Sequence, residues 1–454
     1  MTTATTNAGA MPAGMLVTGG DSQVRLWGAL DGQDSLYRFT HELERVGREL
    51  ASDPALKSKN FAVNKTVQAF RKEPGNHWEM MRLLHAIPRT MVRAIVLGTV
   101  AFDDHQRALE SYEKPAATSH TDWQGVYVIG LRRIGQGGKF LTAGEADLLI
   151  DGLEQYVEAA ERAISPPIGP PTLEQHTATQ FMMRVDRRVA GSGNWAIVSP
   201  RFITSDENVD HVRAMIDSLK SRVAQMAAAG MSAGERMVQS PLYVGCSKNL
   251  LVRLANYELS QGFRGVNKKL ALTTSTLLEL GMPVELVIRV AVRTWKSQHL
   301  SMAEHLVVTM ASSLVYQGGF NATQAGGNYG SASGGGMARE LVLGRTPHVR
   351  ENAGLTLDEI ENCALFEAEL DAVLDILDKC EGDMRQAEVE VAAAEPHLKI
   401  KAEFLIQSLE GRAAAMESAV KEAQQDCETA QVLARLARLR LHGARASSDE
   451  PSDA

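Results

Sequence analysis

The feature that most restricts this chain is a change of hydrophobic period between Leu242 and Tyr316. Leu242-Tyr243-Val244-Gly245 reads as a strand, and Ser247 stands where it can cap a helix running to about Ser260. A second short helix covers Thr273 to Leu280 and closes at Gly281. Val284, Leu286, Ile288, Val290 and Val292 then alternate with Glu285, Val287, Arg289, Ala291 and Arg293. A period of two is that of a half-buried strand. Ser297 or Ser301 opens a further helix to about Tyr316. Upstream, Gly125-Val126-Tyr127-Val128-Ile129 is rich in β-branched and aromatic residues and reads as one more short strand. The fold class that follows is α+β: a small three-stranded antiparallel sheet flanked by helices.

The flanks are helical in pattern. Residues 1–33 are rich in Thr, Ala and Gly without periodicity and are expected to be disordered. Residues 34–115 form a helical region: Leu36, Phe39, Leu43, Val46 and Leu50 recur at three- and four-residue steps, and Pro88 should break or bend a later helix. Helices are also expected over Ala143–Ile164, ended by PPIGPP at 166–171, and from about Glu207 to Ala229. The Gly-rich stretch 329–352 reads as a linker. Beyond it, Cys363, Phe366, Leu370, Val373, Leu377, Cys380, Met384, Ala387, Val391 and Ala394 form a heptad seam. Residues 353–443 are therefore a coiled coil that pairs two chains, or a helical hairpin folded about Pro396. Residues 444–454 are an acidic tail.

Totals exclude some classes. At 454 residues with net charge -8, the whole chain is no general polyanion binder, and a nucleic-acid surface must be local. Cys246, Cys363, Cys380 and Cys427 form no CxxC pair, which fits a reducing, nuclear or cytoplasmic setting rather than a secreted one. No apolar run reaches membrane-spanning length. The histidines form no HExxH or HxxxH pair. GQGGK at 135–139 is not a phosphate loop, because Phe140 stands where Ser or Thr would hold Mg²⁺.

One constellation carries chemistry. Tyr243-Val244-Gly245 ends a strand directly before a capped helix, Arg253 lies on that helix, Glu304 falls early on the helix after the alternating strand, and Asn321 follows it in GGFNATQAGG. In this order the residues resemble the GIY-YIG nuclease superfamily. Its first strand motif is matched by Gly125-Val126-Tyr127, over a hundred residues upstream, whereas Trp195-Ala196-Ile197-Val198 lacks the tyrosine. Residues 121–328 would then be the core, with 131–240 inserted into its opening hairpin. Such an insertion adds little closure entropy, since that term grows only with the logarithm of length.

The resemblance implies metal-dependent hydrolysis of DNA phosphodiesters, with RNA as a further possible substrate. It implies Tyr127, helped by Tyr243, as the group that activates water. A free phenol titrates near 10, so a nearby cation must lower it for general-base work. It implies Arg253 as a bidentate phosphate ligand, Glu304 as the ligand of Mg²⁺ or Mn²⁺, and Asn321 as a hydrogen-bonding support. Each residue has a plainer role available: a rim tyrosine, a solvated arginine, and a capping box for Ser301-Met302-Ala303-Glu304.

Charge points to the same place. Residues 241–300 hold Lys248, Arg253, Arg264, Lys268, Lys269, Arg289, Arg293 and Lys296 against Glu258, Glu279 and Glu285. Lys248, Arg264, Lys268, Lys269, Arg293 and Lys296 are the expected nucleic-acid contacts. Arg184, Arg187 and Arg188 form a second basic spot. The rival readings are a non-catalytic nucleic-acid binder on the same fold and a coiled-coil scaffold that self-associates, as a homodimer, through its C-terminal helices.

Overall fold

The computed structural model describes residues 21–30, 35–53, 74–107, 109, 124–166, 170–189, 199–257, 266–294, 299–322, 347–392 and 396–446. The chain divides into two compact units, Met1–Asn352 and Ala353–Ala454.

In the first unit the sheet comprises β1 (Gly125–Arg133), β2 (Tyr243–Ser247) and β3 (Val284–Arg293), in the order β2-β1-β3. Both pairings are antiparallel: Val126 faces Cys246 on one side and Val292 on the other. The two strands at the ends of the long intervening segment thus lie side by side. A register shift between Val126 and Tyr127 marks an irregularity against β3. Gly125 is required there, because a Cβ would fall 2.5 Å from the Val292 carbonyl oxygen.

Alternation along the strands sends side chains into two cores. Tyr127, Ile129, Leu131, Tyr243 and Val290 enter one core, with helices α6 (Ala143–Ile164), α7 (Leu173–Val189) and α8 (Asp206–Ala228) of the intervening segment. Val126, Val128, Val244, Cys246 and Val292 enter the other. That second core is built from α1 (Asp21–Leu30), α2 (Tyr37–Ser52), α3 (Pro74–His85), α4 (Arg89–Leu97), α5 (Val100–Arg107) and α11 (His299–Ala311). Two further helices follow β2: α9 (Leu250–Ala255) and α10 (Lys268–Glu279).

Several boundaries differ from those read along the sequence, each for a local reason. α1 lies inside the stretch expected to be disordered; Leu26 is fully buried, and Arg25 pairs with Glu42 and Glu49 of α2. α9 is capped by Asn249, whose side chain accepts from Val252 N, rather than by Ser247. α10 begins at Lys268 because Asn267 caps it, accepting from Lys269 N and Leu270 N. Ser301 lies inside α11, so it is not the helix cap. Pro88 separates α3 from α4, as its ring requires. α6 opens on a capping box between Thr142 and Glu145.

α6 and α7 are tied by a buried polar link. Tyr156 Oη donates to Asp186 Oδ1 at 2.8 Å and accepts from Phe202 N at 3.1 Å, and Arg201 N donates to Asp186 Oδ2 at 3.2 Å. Burial outweighs these bonds and pushes the Asp186 carboxyl up to about 6. A raised carboxyl binds its proton more tightly in the folded state. Its contribution is therefore fully present below the unfolded value near 4 and is lost as pH rises through about 6. In Asp186→Asn the melting temperature, relative to the parent, should rise between pH 4 and pH 7, by an amount corresponding to a few kcal/mol at most. A constant difference across that range would show that Asp186 titrates normally.

The second unit contains the helix from Pro347–Ala392, which begins in the first unit, and the helix Pro396–Ala446. Residues 347–352, expected as linker, are already helical, and Asn352 Nδ2 donates to the His85 and Ile87 carbonyls at 3.0 and 3.1 Å. The two long helices touch: Cys427 Sγ donates to the Cys363 carbonyl at 3.2 Å. Val420, Cys427 and Ala430 are buried, while Phe404 and Leu405 are 76% and 62% exposed. Of the expected seam, Cys363, Val373, Leu377 and Met384 are half-buried, and Cys380 and Ala387 are exposed in the single chain.

Candidate functional site

The β1–β2 register sets the site. Tyr127 sits opposite Gly245, and Ile129 opposite Tyr243. The Tyr127 ring lies across Gly245 so closely that a Cβ there would fall 2.5 Å from Oη and 2.6 Å from Cζ. Only glycine leaves room. The Tyr127 hydroxyl accepts from Arg253 Nε at 3.0 Å and shares a hydrogen bond with Tyr257 Oη at 2.9 Å. The rings of Tyr127, Tyr243 and Tyr257 form a triangle with centroids 5.7 to 6.2 Å apart. The Arg253 guanidinium lies 5.5 Å from the centre of the Tyr257 ring.

Arg253 and Tyr257 are four residues apart, one turn on the same side of the chain. Tyr257 was not among the residues singled out by sequence. The signal was present in the spacing Arg253-x-x-x-Tyr257, but it gains meaning only beside Tyr127.

Asn321 acts on the strand rather than on the cluster. Its Oδ1 accepts from Val244 N at 2.9 Å and its Nδ2 donates to Val244 O at 2.7 Å. It thus continues the sheet's hydrogen bonding along the free edge of β2 and holds the residues on either side, Tyr243 and Gly245, in place.

Glu304 is 9% exposed and accepts from Cys246 Sγ at 3.2 Å. Cys246 belongs to the core opposite that of Tyr243, so Glu304 meets β2 from the other side. Its charge nevertheless raises the Tyr243 phenol, adding to burial. Burial raises the Cys246 thiol strongly, with Glu304 reinforcing it, so the thiol is neutral and donates. Tyr127 is also raised: burial is the main cause, Tyr243 adds to it, and Arg253 and the hydrogen bonds oppose it without prevailing. The Tyr127 phenol is therefore protonated at neutral pH.

Among the described residues no three His, Cys, Asp or Glu side chains gather as a metal cluster. A Mg²⁺ or Mn²⁺ ion that keeps most of its waters asks for one or two carboxylates; Glu304 offers one, buried and already accepting from Cys246 on the side of β2 opposite Tyr127.

The basic island is thinner than its residue count. Lys269 and Arg293 are buried, Arg289 is bound to Asp104, and Lys248 is half-buried. Lys268 is exposed. Arg264 and Lys296 lie outside the described residues. Arg184 and Arg188 both bind Glu279, at 2.6 and 2.7 Å, so most of the second basic spot is neutralised locally.

Comparison of the chain with family models, with curated proteins and with solved structures finds no match in any of the three. No helix among the described residues is long and apolar enough to cross a membrane.

Proposed function

We propose that the protein is a metal-dependent endonuclease of GIY-YIG type that hydrolyses phosphodiester bonds in DNA. The observation that carries this reading is the hydrogen-bonded contact of Tyr127 with Arg253, 126 residues apart in sequence, across a strand pair that also brings in Tyr243. A cation in contact with a phenol suits a phosphodiester better than a carbonyl substrate, and Glu304 supplies a carboxylate from the other side of β2. Arg253 holds the phosphate and offsets charge that develops on it. Tyr127 Oη orients the attacking water and accepts its proton once the phenol has ionised, with Arg253 and Tyr257 stabilising the phenolate. Tyr243 packs against the Tyr127 and Tyr257 rings, Asn321 fixes β2, and Glu304 would hold Mg²⁺ or Mn²⁺. When bound, the ion supplies Lewis acidity toward the phosphate and the leaving oxygen.

The test is nicking of supercoiled plasmid, and cleavage of branched DNA and matched RNA, with Mg²⁺ or Mn²⁺. Arg253→Ala should lower the rate about 10²- to 10³-fold. Glu304→Gln should remove cleavage while leaving DNA affinity and folding intact. A parent chain that binds DNA in a salt-sensitive way but cuts nothing would favour a non-catalytic binder. Absence of both activities, with self-association through residues 353–443, would favour a scaffold.

A further inference from the structure

The contact between α8 and α10 buries a cation that the nuclease reading does not use. Lys269 is 7% exposed. Among the described residues its ammonium makes one hydrogen bond, to Asn208 Oδ1 at 3.2 Å, and no ion pair. An ammonium has three protons to place, so two lack a protein acceptor. Beside it, Lys268 Nζ donates to Thr204 Oγ1 at 3.0 Å, and His211, on the same helix as Asn208, is 5% exposed. The first turn of α10 carries no carboxylate, so two cations stand at the positive end of a helix, where the macrodipole disfavours them. Glu207 acts on Lys269, and Glu207 and Asp210 on His211, only through the longer-range field.

Burying an ammonium without a counter-charge is expensive. Surface phosphates of a duplex are a poor match for a group so enclosed. We propose that Lys268, Lys269 and Asn208 form a binding site for a compact oxyanion of phosphate size, presented as a free ion or as a terminal phosphate monoester. The oxyanion would accept the two remaining Lys269 protons and bridge to Lys268. Burial and Lys268 push the Lys269 ammonium down to about 8 in the anion-free chain, and a bound anion would reverse that shift.

The site does not depend on the nuclease reading, and its test uses binding rather than cleavage. The full chain is melted in sodium phosphate and in sodium chloride of equal ionic strength, and titrated calorimetrically with inorganic phosphate and with a nucleoside monophosphate. Phosphate at a hundred times its dissociation constant should raise the parent's melting temperature by about 3–4 °C. One anion should bind per chain. Lys269→Met keeps the aliphatic stem and should lose the phosphate effect; Lys269→Gln serves as a second, more polar variant. Equal response to both phosphates assigns a terminal phosphate group, and response to the inorganic ion alone assigns the free ion. Two results would overturn the proposal: no difference between phosphate and chloride in the parent chain, or a phosphate effect that survives in both Lys269 variants and vanishes in Arg253→Ala.

Discussion

Tyr127→Phe should reduce plasmid nicking about 10³-fold, the range expected when a general base is removed, while the chain remains folded. The substitution keeps the ring that fills the space over Gly245 and deletes only the hydroxyl. Arg253 Nε loses its 3.0 Å acceptor and Tyr257 its 2.9 Å partner, which should cost about 1–3 kcal/mol of stability. Arg253 then remains to bind phosphate, so DNA affinity should fall much less than the rate. The pH profile of the parent chain provides an independent check. Because burial holds the phenol above its ordinary value, the ionised fraction grows tenfold per pH unit through pH 7 to 9. The cleavage rate should rise in proportion, with no plateau in that window. A flat profile, or a Tyr127→Phe protein that cuts at the parent rate, would remove Tyr127 from the chemistry.

Gly245→Ala should disrupt the tyrosine cluster by a single added methyl. The new carbon would stand 2.5 Å from Tyr127 Oη and 3.1 Å from Tyr243 Cε1. Tyr127 is fully buried and its hydroxyl is held by Arg253 and Tyr257, so the ring cannot swing aside without breaking those bonds. Overpacking of this kind costs about 1–3 kcal/mol. The denaturation midpoint should fall accordingly, and nicking should fall with it, because the displaced ring loses its contact with Arg253. A double-mutant cycle isolates the cause. In a Tyr127→Ala background the clash is absent, and Gly245→Ala should then be nearly neutral. Equal destabilisation in both backgrounds would assign the effect to the strand backbone instead of the ring.

How far the sequence reached can be judged from particular residues. The alternation from Val284 to Val292 marked β3 because period two is a property of the strand itself. Tyr243-Val244-Gly245 before a helix likewise placed β2 within two residues. The stripe Leu36, Phe39, Leu43 and Val46 announced a buried helical face, and all four are fully buried. Helix starts were less legible. Asn249 caps where Ser247, two residues earlier, had been expected, and Asn267 starts α10 ahead of the expected Thr273, because capping depends on which side chain reaches the free N–H groups. α1 was missed because its amphipathic signal is short, and its stability comes from packing Leu26 against the neighbouring helices.

The sequence by itself determined the element types, the α+β class and the identity of the polar residues that chemistry could use. All of these depend on local spacing. Only the tertiary structure decided which of those residues meet. It set Tyr127 opposite Gly245, added Tyr257 to the cluster, turned Asn321 into a brace for β2, and took Lys269 out of the surface. The physical reason is that pairing between segments more than a hundred residues apart is chosen by burial on both faces of the sheet. A one-residue slip there would turn Tyr127 away from Arg253, and no local pattern records that register.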